Sequence, residues 1–353
     1  MKAARWYAAK DVRVEDTEIP VTGTKQIKIE VKYAGICGSD LHEYVHGPNL
    51  IPAKEPYPLN GHFGVTTLGH EFSGVISEIG VDAQTKLKVG DRVVVEPIFK
   101  NPDSPFIANG EYNLSEPLGF VGLNANGGFA PYVVVEDYMV HKIPDSMSFE
   151  QGALVEPAAV AVYAVVNSGL QIGESVAIFG AGPIGLLCLQ AAKAAGATTT
   201  FVIDVSEKRL EKAKEIGADY IIKGTDSDIP EQIRKVTGIG VDRVIDAAGV
   251  QPTFTNGIKS LRNGGTELLV ALFGKPVTLD AFEQVCREIT IKGVIAYRNI
   301  FPKVIELINS KQMDVEKLVT RKIELDNIVP EGFEALIKDP SEVKILINIG
   351  NVK

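Results

Sequence analysis

Cysteine is scarce in this chain, three in 353 residues at positions 37, 188 and 286, and no two are near enough to form a C-x-x-C pair. That scatter excludes a disulfide framework and fits a chain kept in a reducing compartment, so a cytoplasmic location is expected. Basic residues are in deficit too: 36 Lys and Arg stand against 45 Asp and Glu, a net charge of -9. A field of that sign repels polyanions, which argues against nucleic acid as a partner. No apolar run approaches the roughly 18 residues of a membrane span, and the N-terminus reaches acidic residues before an apolar leader forms. The expectation is a soluble, unprocessed protein with no membrane partner and no internal repeat. What is present, 45% hydrophobic and 23% charged residues with 34 glycines and 19 prolines, is an ordinary globular composition. The length suits two domains.

Up to about residue 150 the pattern is that of strands. "QIKIEVKYA" alternates Ile27, Ile29, Val31 and Tyr33 on one face, and "GVISEIG", "GDRVVVEP" and "FAPYVVVEDYMVHKIP" follow with glycine or proline punctuation. This predicts a β-rich, barrel-like region. "ALVEPAAVAVYAVVNSGL" then reads as a buried helix, and from Ser175 strands alternate with helices. "SVAIFGAG" and "TTTFVIDV" are the strands, and "PIGLLCLQAAKAAG" and "SEKRLEKAKEIG" the helices, each closed by a glycine. The rhythm predicts a parallel sheet with right-handed crossovers. "VDRVIDAAG", "TELLVALFG" and "ITIKGVIAY" supply later strands, with "TELLVALFG" read as an edge. After residue 297 the rhythm is lost, so the last segment is expected to rejoin the first domain. The domains drawn from this are 1–156 with 298–353, and 157–297.

"VAIFGAGPIGLLCLQ" places Gly180, Gly182 and Gly185 as G-x-G-x-x-G between an apolar strand and a helix. The first glycine permits a tight turn, the second lets backbone approach a pyrophosphate, and the third lets helix pack on strand. Counting on, 204 − 185 = 19 positions brings Asp204 to the end of the next strand, where a carboxylate accepts from the adenosine ribose hydroxyls. NAD is therefore favoured over NADP, although Lys208 and Arg209 stand close enough to read a 2'-phosphate. The plainer reading is close packing by the glycines and helix capping by Asp204.

"YAGICGSDLHEY" gathers Cys37, Ser39, Asp40 and His42 within six positions, "LGHEFSG" offers His70 and Glu71, and "ALVEPAA" offers Glu156 in an apolar setting. Catalytic zinc takes three protein ligands from Cys, His and carboxylate and keeps a position open. Each residue also has a plainer reading: Cys37 as a small buried hydrophobe, His70 and Glu71 as loop, Glu156 as a helix cap. Spacing leaves both readings open, and four of the five histidines falling at 42, 46, 62 and 70 does not decide between them.

Taken together, "GICGSDLHEY", "GHEFSG", "GDRV", "VEP" and "VAIFGAGPIG" resemble the zinc-dependent medium-chain dehydrogenase/reductase family over nearly the whole chain. In order and spacing they match its polyol branch of sorbitol and butanediol dehydrogenases. The insertion "VHGPNLIPAKEPYPLNGHFGVTTLGHEFSG" is most similar to that of the (R,R)-2,3-butanediol dehydrogenases. The resemblance implies an α/β fold, a GroES-like β-rich catalytic domain plus a Rossmann doubly wound parallel-sheet domain. It implies a zinc-dependent alcohol dehydrogenase that passes hydride between NAD(H) and a small vicinal diol or hydroxyketone, 2,3-butanediol and acetoin first, in a dry cleft between domains. A sorbitol, xylitol or threonine dehydrogenase is the rival within the family, and a non-catalytic nucleotide-binding redox sensor the remote one.

Carried onto this chain, the family pattern makes Cys37, His70 and either Glu71 or Glu156 zinc ligands, one carboxylate bonding through water. Asp40 would orient His70, Ser39 would hydrogen-bond the substrate hydroxyl, and His42 would come next in a proton relay. The implied catalytic set is Cys37, Ser39, His42, His70 and Glu156. The implied cofactor residues are Gly180, Gly182, Ile184, Gly185, Asp204, Arg209, Leu272, Tyr297 and Arg298. A homodimer or homotetramer is implied as well.

Two departures matter. The family commonly carries a structural zinc lobe with four cysteines, and here those places fall on Asn101, Ser104, Ile107 and Ser115. One catalytic zinc per chain and no structural zinc is therefore expected. In "IKGVIAYRN", Ala296 and Tyr297 stand where sorbitol dehydrogenases carry arginine and tyrosine, with arginine displaced to Arg298. A long polyol would lose a donor there, which tilts the substrate toward a small diol. Cys188 and Cys286 are read as helix packing and His141 as structural.

Overall fold

The structure is a computed structural model and describes residues 1–350. It opens with β1 (Lys2–Ala8), β2 (Asp11–Asp16) and β3 (Gln26–Gly35), followed by helix α1 (Gly38–His46). Then come β4 (Thr66–Thr67), β5 (Glu71–Ile79), β6 (Arg92–Val95), β7 (Tyr132–Glu136) and β8 (Val140–Lys142). Two helices, α2 (Phe149–Ala153) and α3 (Val155–Ser168), lead into the alternating region. There β9 (Ser175–Phe179), α4 (Pro183–Ala194), β10 (Thr199–Asp204), α5 (Glu207–Ile216), β11 (Tyr220–Lys223) and α6 (Ile229–Thr237) follow in turn. They are succeeded by β12 (Val241–Asp246), α7 (Gln251–Ser260), β13 (Leu261–Leu269), α8 (Ala281–Arg287) and β14 (Thr290–Gly293). The chain ends with α9 (Phe301–Asn309), β15 (Val319–Glu324), α10 (Glu334–Lys338) and β16 (Lys344–Asn348).

Two compact units result. One comprises Met1–Glu156, Phe301–Asn309 and residues 319–350; the other comprises Pro157–Ile300 and Ser310–Leu318. In the first, a seven-stranded sheet runs β15-β16-β3-β5-β6-β8 with β7 also on β3, beside a three-stranded sheet β2-β1-β4. The alternation in β3 does its work: Ile27, Ile29 and Val31 are buried in a core with Phe72, Phe129 and Ile345. The C-terminal β16 inserts beside β3, antiparallel, and β15 pairs on it, so these two strands join the first sheet, while residues 298–300 and 310–318 belong to the other unit rather than to the first as expected.

The second unit is a six-stranded, wholly parallel sheet in the order β11-β10-β9-β12-β13-β14, the doubly wound arrangement. Its strands read as continuous apolar runs because both faces are covered: Val176, Ala177, Ile178 and Phe179 of β9 are all buried. The "TELLVALFG" strand is not an edge. β14 pairs along its outer side, parallel, with Thr266 opposite Thr290, and β14 is the edge instead. Cys286 is corrected as well: it lies exposed on α8, a helix without a single buried residue, so it does not pack a core. Cys188 is fully buried in α4. No helix among the described residues is long and apolar enough to cross a membrane.

Candidate functional site

Strand pairing gathers the first constellation. β3 and β5 run antiparallel with Gly35 opposite Glu71, so the chain leaving β3 at Ile36 and Cys37 meets the chain entering β5 at His70 and Glu71. Gly35 permits this approach, since a Cβ there would stand 2.3 Å from Glu71 Oε2. Cys37 caps α1, and the Cys37 backbone N–H donates to Asp40 Oδ2 at 2.9 Å, which fixes the turn. The ligand atoms of Cys37, His70 and Glu71 all lie within 4.8 Å of one another. These are the donor types that zinc takes.

The surrounding charges suit a cation. Asp40 is fully buried, and its Oδ1 lies 3.6 Å from His70 Nδ1, two polar atoms that otherwise lack a hydrogen-bond partner. His70 Nε2 faces Ser39 Oγ at 3.1 Å. Burial alone would lower the His70 pKa, but Asp40, then Cys37 and Glu156, outweigh it and hold it well above its ordinary value. Burial pushes Asp40 up, opposed by His70. An imidazole ringed by negative groups is the environment a divalent ion completes, and the residues present fit one.

A residue the sequence reading missed closes this cluster. Lys344 of β16 is only 2% exposed, and its Nζ donates to Glu71 Oε1 at 2.8 Å, to Glu71 Oε2 at 2.7 Å and to the Ile36 carbonyl at 2.9 Å. Burial lowers the Lys344 pKa, but Glu71 and Cys37 more than reverse this, so the ammonium stays charged. The available signal was a lysine inside the apolar run "VKILINIG". Glu156, in the first turn of α3 and 7% exposed, acts on the charges of both His70 and Lys344. His42 is not drawn in: it lies on the exposed side of α1.

The glycine turn joins β9 to α4. Gly180 has φ +99°, a left-handed conformation that glycine adopts without strain. Gly185 lies so close to the turn that a Cβ would stand 1.8 Å from the Gly180 carbonyl oxygen. Gly182 caps α4 with open space before it, and Pro183 takes the first helical position. Asp204 ends β10, and its Oδ2 accepts from Ala181 N–H at 2.7 Å while Oδ1 accepts from Ser206 N–H at 2.8 Å. The acid thus ties the glycine turn to the start of α5. Arg209 and Ile184 are half-buried on α5 and α4, and Leu272, after β13, is 81% exposed. Tyr297 is fully buried and presents no surface to a ligand, whereas Arg298 lies 5.7 Å from the centre of the Tyr163 ring.

Of the four lobe positions, none offers a thiolate. Asn101 donates through Nδ2 to the Glu116 carbonyl at 2.8 Å, the Ser104 N–H donates to the Asn101 carbonyl, and Ser115 is buried. Lys100 sits 4.5 and 4.7 Å from the ring centres of Tyr112 and Tyr138. The Tyr112 hydroxyl donates to Glu96, whose other oxygen lies 2.9 Å from His141 Nε2. The inserted segment braces the same region: Tyr57 packs on Phe99 and donates to the Pro117 carbonyl, and Asn60 donates to the Asn124 carbonyl.

Two family models match the chain. Residues 23–145 match the alcohol dehydrogenase GroES-like domain and residues 183–310 the zinc-binding dehydrogenase domain. The chain is 46% identical to (R,R)-butanediol dehydrogenase of Bacillus subtilis over 98% of this chain and 99% of that one. It is 35% identical to sorbitol dehydrogenase of Rattus norvegicus over 93% of this chain and 90% of that one. A crystal structure of the 2R,3R-butanediol dehydrogenase from Bacillus subtilis superposes with a TM-score of 0.93, covering 98% of this chain and 99% of that one. The chain therefore belongs to the zinc-binding dehydrogenase family, with a GroES-like unit and a doubly wound parallel-sheet unit, and is an oxidoreductase of the zinc-dependent alcohol dehydrogenase kind.

Proposed function

We propose that this chain oxidises a small vicinal diol, 2,3-butanediol before others, and reduces the matching hydroxyketone, with NAD as hydride carrier. One zinc per chain is held by Cys37, His70 and Glu71, with Glu156 as the second carboxylate. The observation that carries this reading is the convergence of those three ligand atoms within 4.8 Å, beside a serine hydroxyl 3.1 Å from His70. When bound, zinc supplies a Lewis acid that lowers the pKa of a nearby hydroxyl, as it lowers that of water to about 7. Asp40 sets the orientation of His70. Ser39 accepts the substrate's hydroxyl proton and passes it on toward solvent, where His42 stands exposed on α1. Lys344 balances the charge of Glu71, and open backbone at Gly182 and the start of α4 receives the pyrophosphate. Asp204 at the end of β10 favours ribose hydroxyls over a 2'-phosphate.

The small-diol preference is supported by the named relative and by Ala296 in place of arginine. The count of one zinc is supported by a lobe that Lys100, Tyr112, Glu96 and the inserted Tyr57 hold together without thiolates. Self-association through the second unit is supported by its edge strand β14 and by α8, whose Phe282 and Val285 are 79% and 75% exposed. Three free cysteines support work in a reducing cytoplasm. Initial rates of NAD reduction across a panel of small diols and polyols, before and after chelation, test the reading. The expected order places 2,3-butanediol above sorbitol; kcat/KM for sorbitol exceeding that for 2,3-butanediol reverses the assignment toward the polyol enzymes.

A further inference from the structure

Two acids lie inside the parallel sheet of the second unit that no step of the proposed reaction uses. Asp246 ends β12 and is fully buried, yet it has donors: Oδ1 accepts N–H groups of Ala248 at 2.8 Å and Gly249 at 2.9 Å, and Oδ2 accepts the Thr253 hydroxyl at 2.8 Å. Glu267, on neighbouring β13, is equally buried, and both of its carboxylate oxygens lack a hydrogen-bond partner. Its head rests on helix α7 at Gly257, where an added Cβ would stand 2.4 Å from Oε1. Other charged groups on the elements around β13 are engaged or turned to solvent. Arg243 is paired with Glu174, Arg287 with Glu283, Lys292 with Asn167, and Lys259 is exposed. Asp246 is the one charge that bears on Glu267, and it is of the same sign. A bare carboxylate is not tolerated in such a place; the group takes up a proton instead.

We infer that Glu267 is a neutral carboxylic acid in the folded unit, and that its ionisation is an alkaline-sensitive latch on α7 and on the Ala247–Gly249 turn. That turn abuts the glycine turn: a Cβ on Gly180 would stand 3.1 Å from Ala247 C and from Ala248 N. Burial, then the charge of Asp246, pushes Glu267 from its ordinary 4.5 up to about 9. Burial raises Asp246 too, but its three donors oppose this. Because the folded value exceeds the unfolded one, the stability Glu267 contributes is complete below 4.5 and is lost as pH rises through about 9. Within that window the folded state holds one more proton, so its equilibrium constant falls about tenfold per pH unit. Ionisation places two like charges on adjacent strands, and separating them disturbs the turn beside the nucleotide.

The effect on the nucleotide rests on the function proposed above; the protonation of Glu267 does not. Infrared difference spectroscopy of the full chain at neutral pH, wild type against Glu267→Gln, should reveal the carbonyl stretch of a protonated acid that the variant lacks. Hydrogen exchange of the β12 and β13 amides should then give a wild-type to variant ratio that climbs about tenfold per pH unit from pH 6 to about 9. NADH affinity should hold from pH 6 to about 8 in wild type, fall as pH passes through about 9, and hold throughout in the variant. Where Glu267→Gln does not fold, Glu267→Leu takes its place. No difference band, or an exchange ratio unchanged with pH, overturns the inference. NADH failing to bind either protein at any pH counts against the nucleotide reading, while the exchange ratio still decides the latch.

Discussion

Lys344 carries its ammonium into a space from which water is excluded, and it is stable there because both Glu71 oxygens accept from it. Removing one partner of a buried pair leaves an uncompensated charge, so Lys344→Met should destabilise the GroES-like unit by about 3–5 kcal/mol. Urea unfolding checks this, and the double variant with Glu71→Gln should recover most of the loss. Ser39 is a different case, because it touches His70 but is not a ligand type that zinc prefers. Ser39→Ala should keep its zinc and lower kcat by about 10²–10⁴. The residues legible in the sequence were those whose neighbours are local. Cys37, Ser39 and Asp40 lie on one turn, and His70 and Glu71 sit in one short motif. Lys344 was not legible, since it meets Ile36 across 308 positions through a strand pairing that no short window displays. His42 shares the motif of Cys37 but lies exposed on α1, because five positions at about 3.6 residues per turn carry it well around the helix from Cys37.

At the scale of elements, the glycine turn is where backbone geometry is most exacting. Gly185→Ala would drive a methyl into the Gly180 carbonyl and push α4 from β9. We expect a loss of about 1–3 kcal/mol and a weaker NADH fluorescence titration. In the lobe, Lys100→Met removes a cation held between two tyrosine rings, and limited proteolysis should then cut between residues 99 and 118 while zinc content is unchanged. Cleavage there in chelated wild type would show that metal, not this clamp, orders the segment. The β-α rhythm was readable because strands covered on both faces, such as β9, are unbroken apolar runs. β14 was underestimated as a sheet neighbour for the opposite reason: "TIKG" is short and mostly exposed, so β13 looked like the edge. Cys286 was misplaced because α8 has apolar residues but buries none of them.

At the scale of the whole molecule, the exposed Phe282 and Val285 beside the β14 edge make an apolar surface that association would cover. Phe282→Glu combined with Val285→Glu should shift sedimentation toward monomer; an unchanged profile would place the interface elsewhere. In the proposed reaction, three side chains of one unit, Cys37, His70 and Glu71, hold the zinc on which diol oxidation depends. Zinc per chain measured together with the rate of NAD reduction on (R,R)-2,3-butanediol, for wild type, chelated and zinc-restored protein and Cys37→Ser, tests it most directly. Wild type should carry one zinc and the variant little or none, and the rate should vanish and return with the metal. A rate that survives in zinc-free protein, or a Cys37→Ser variant that keeps both zinc and activity, would contradict it.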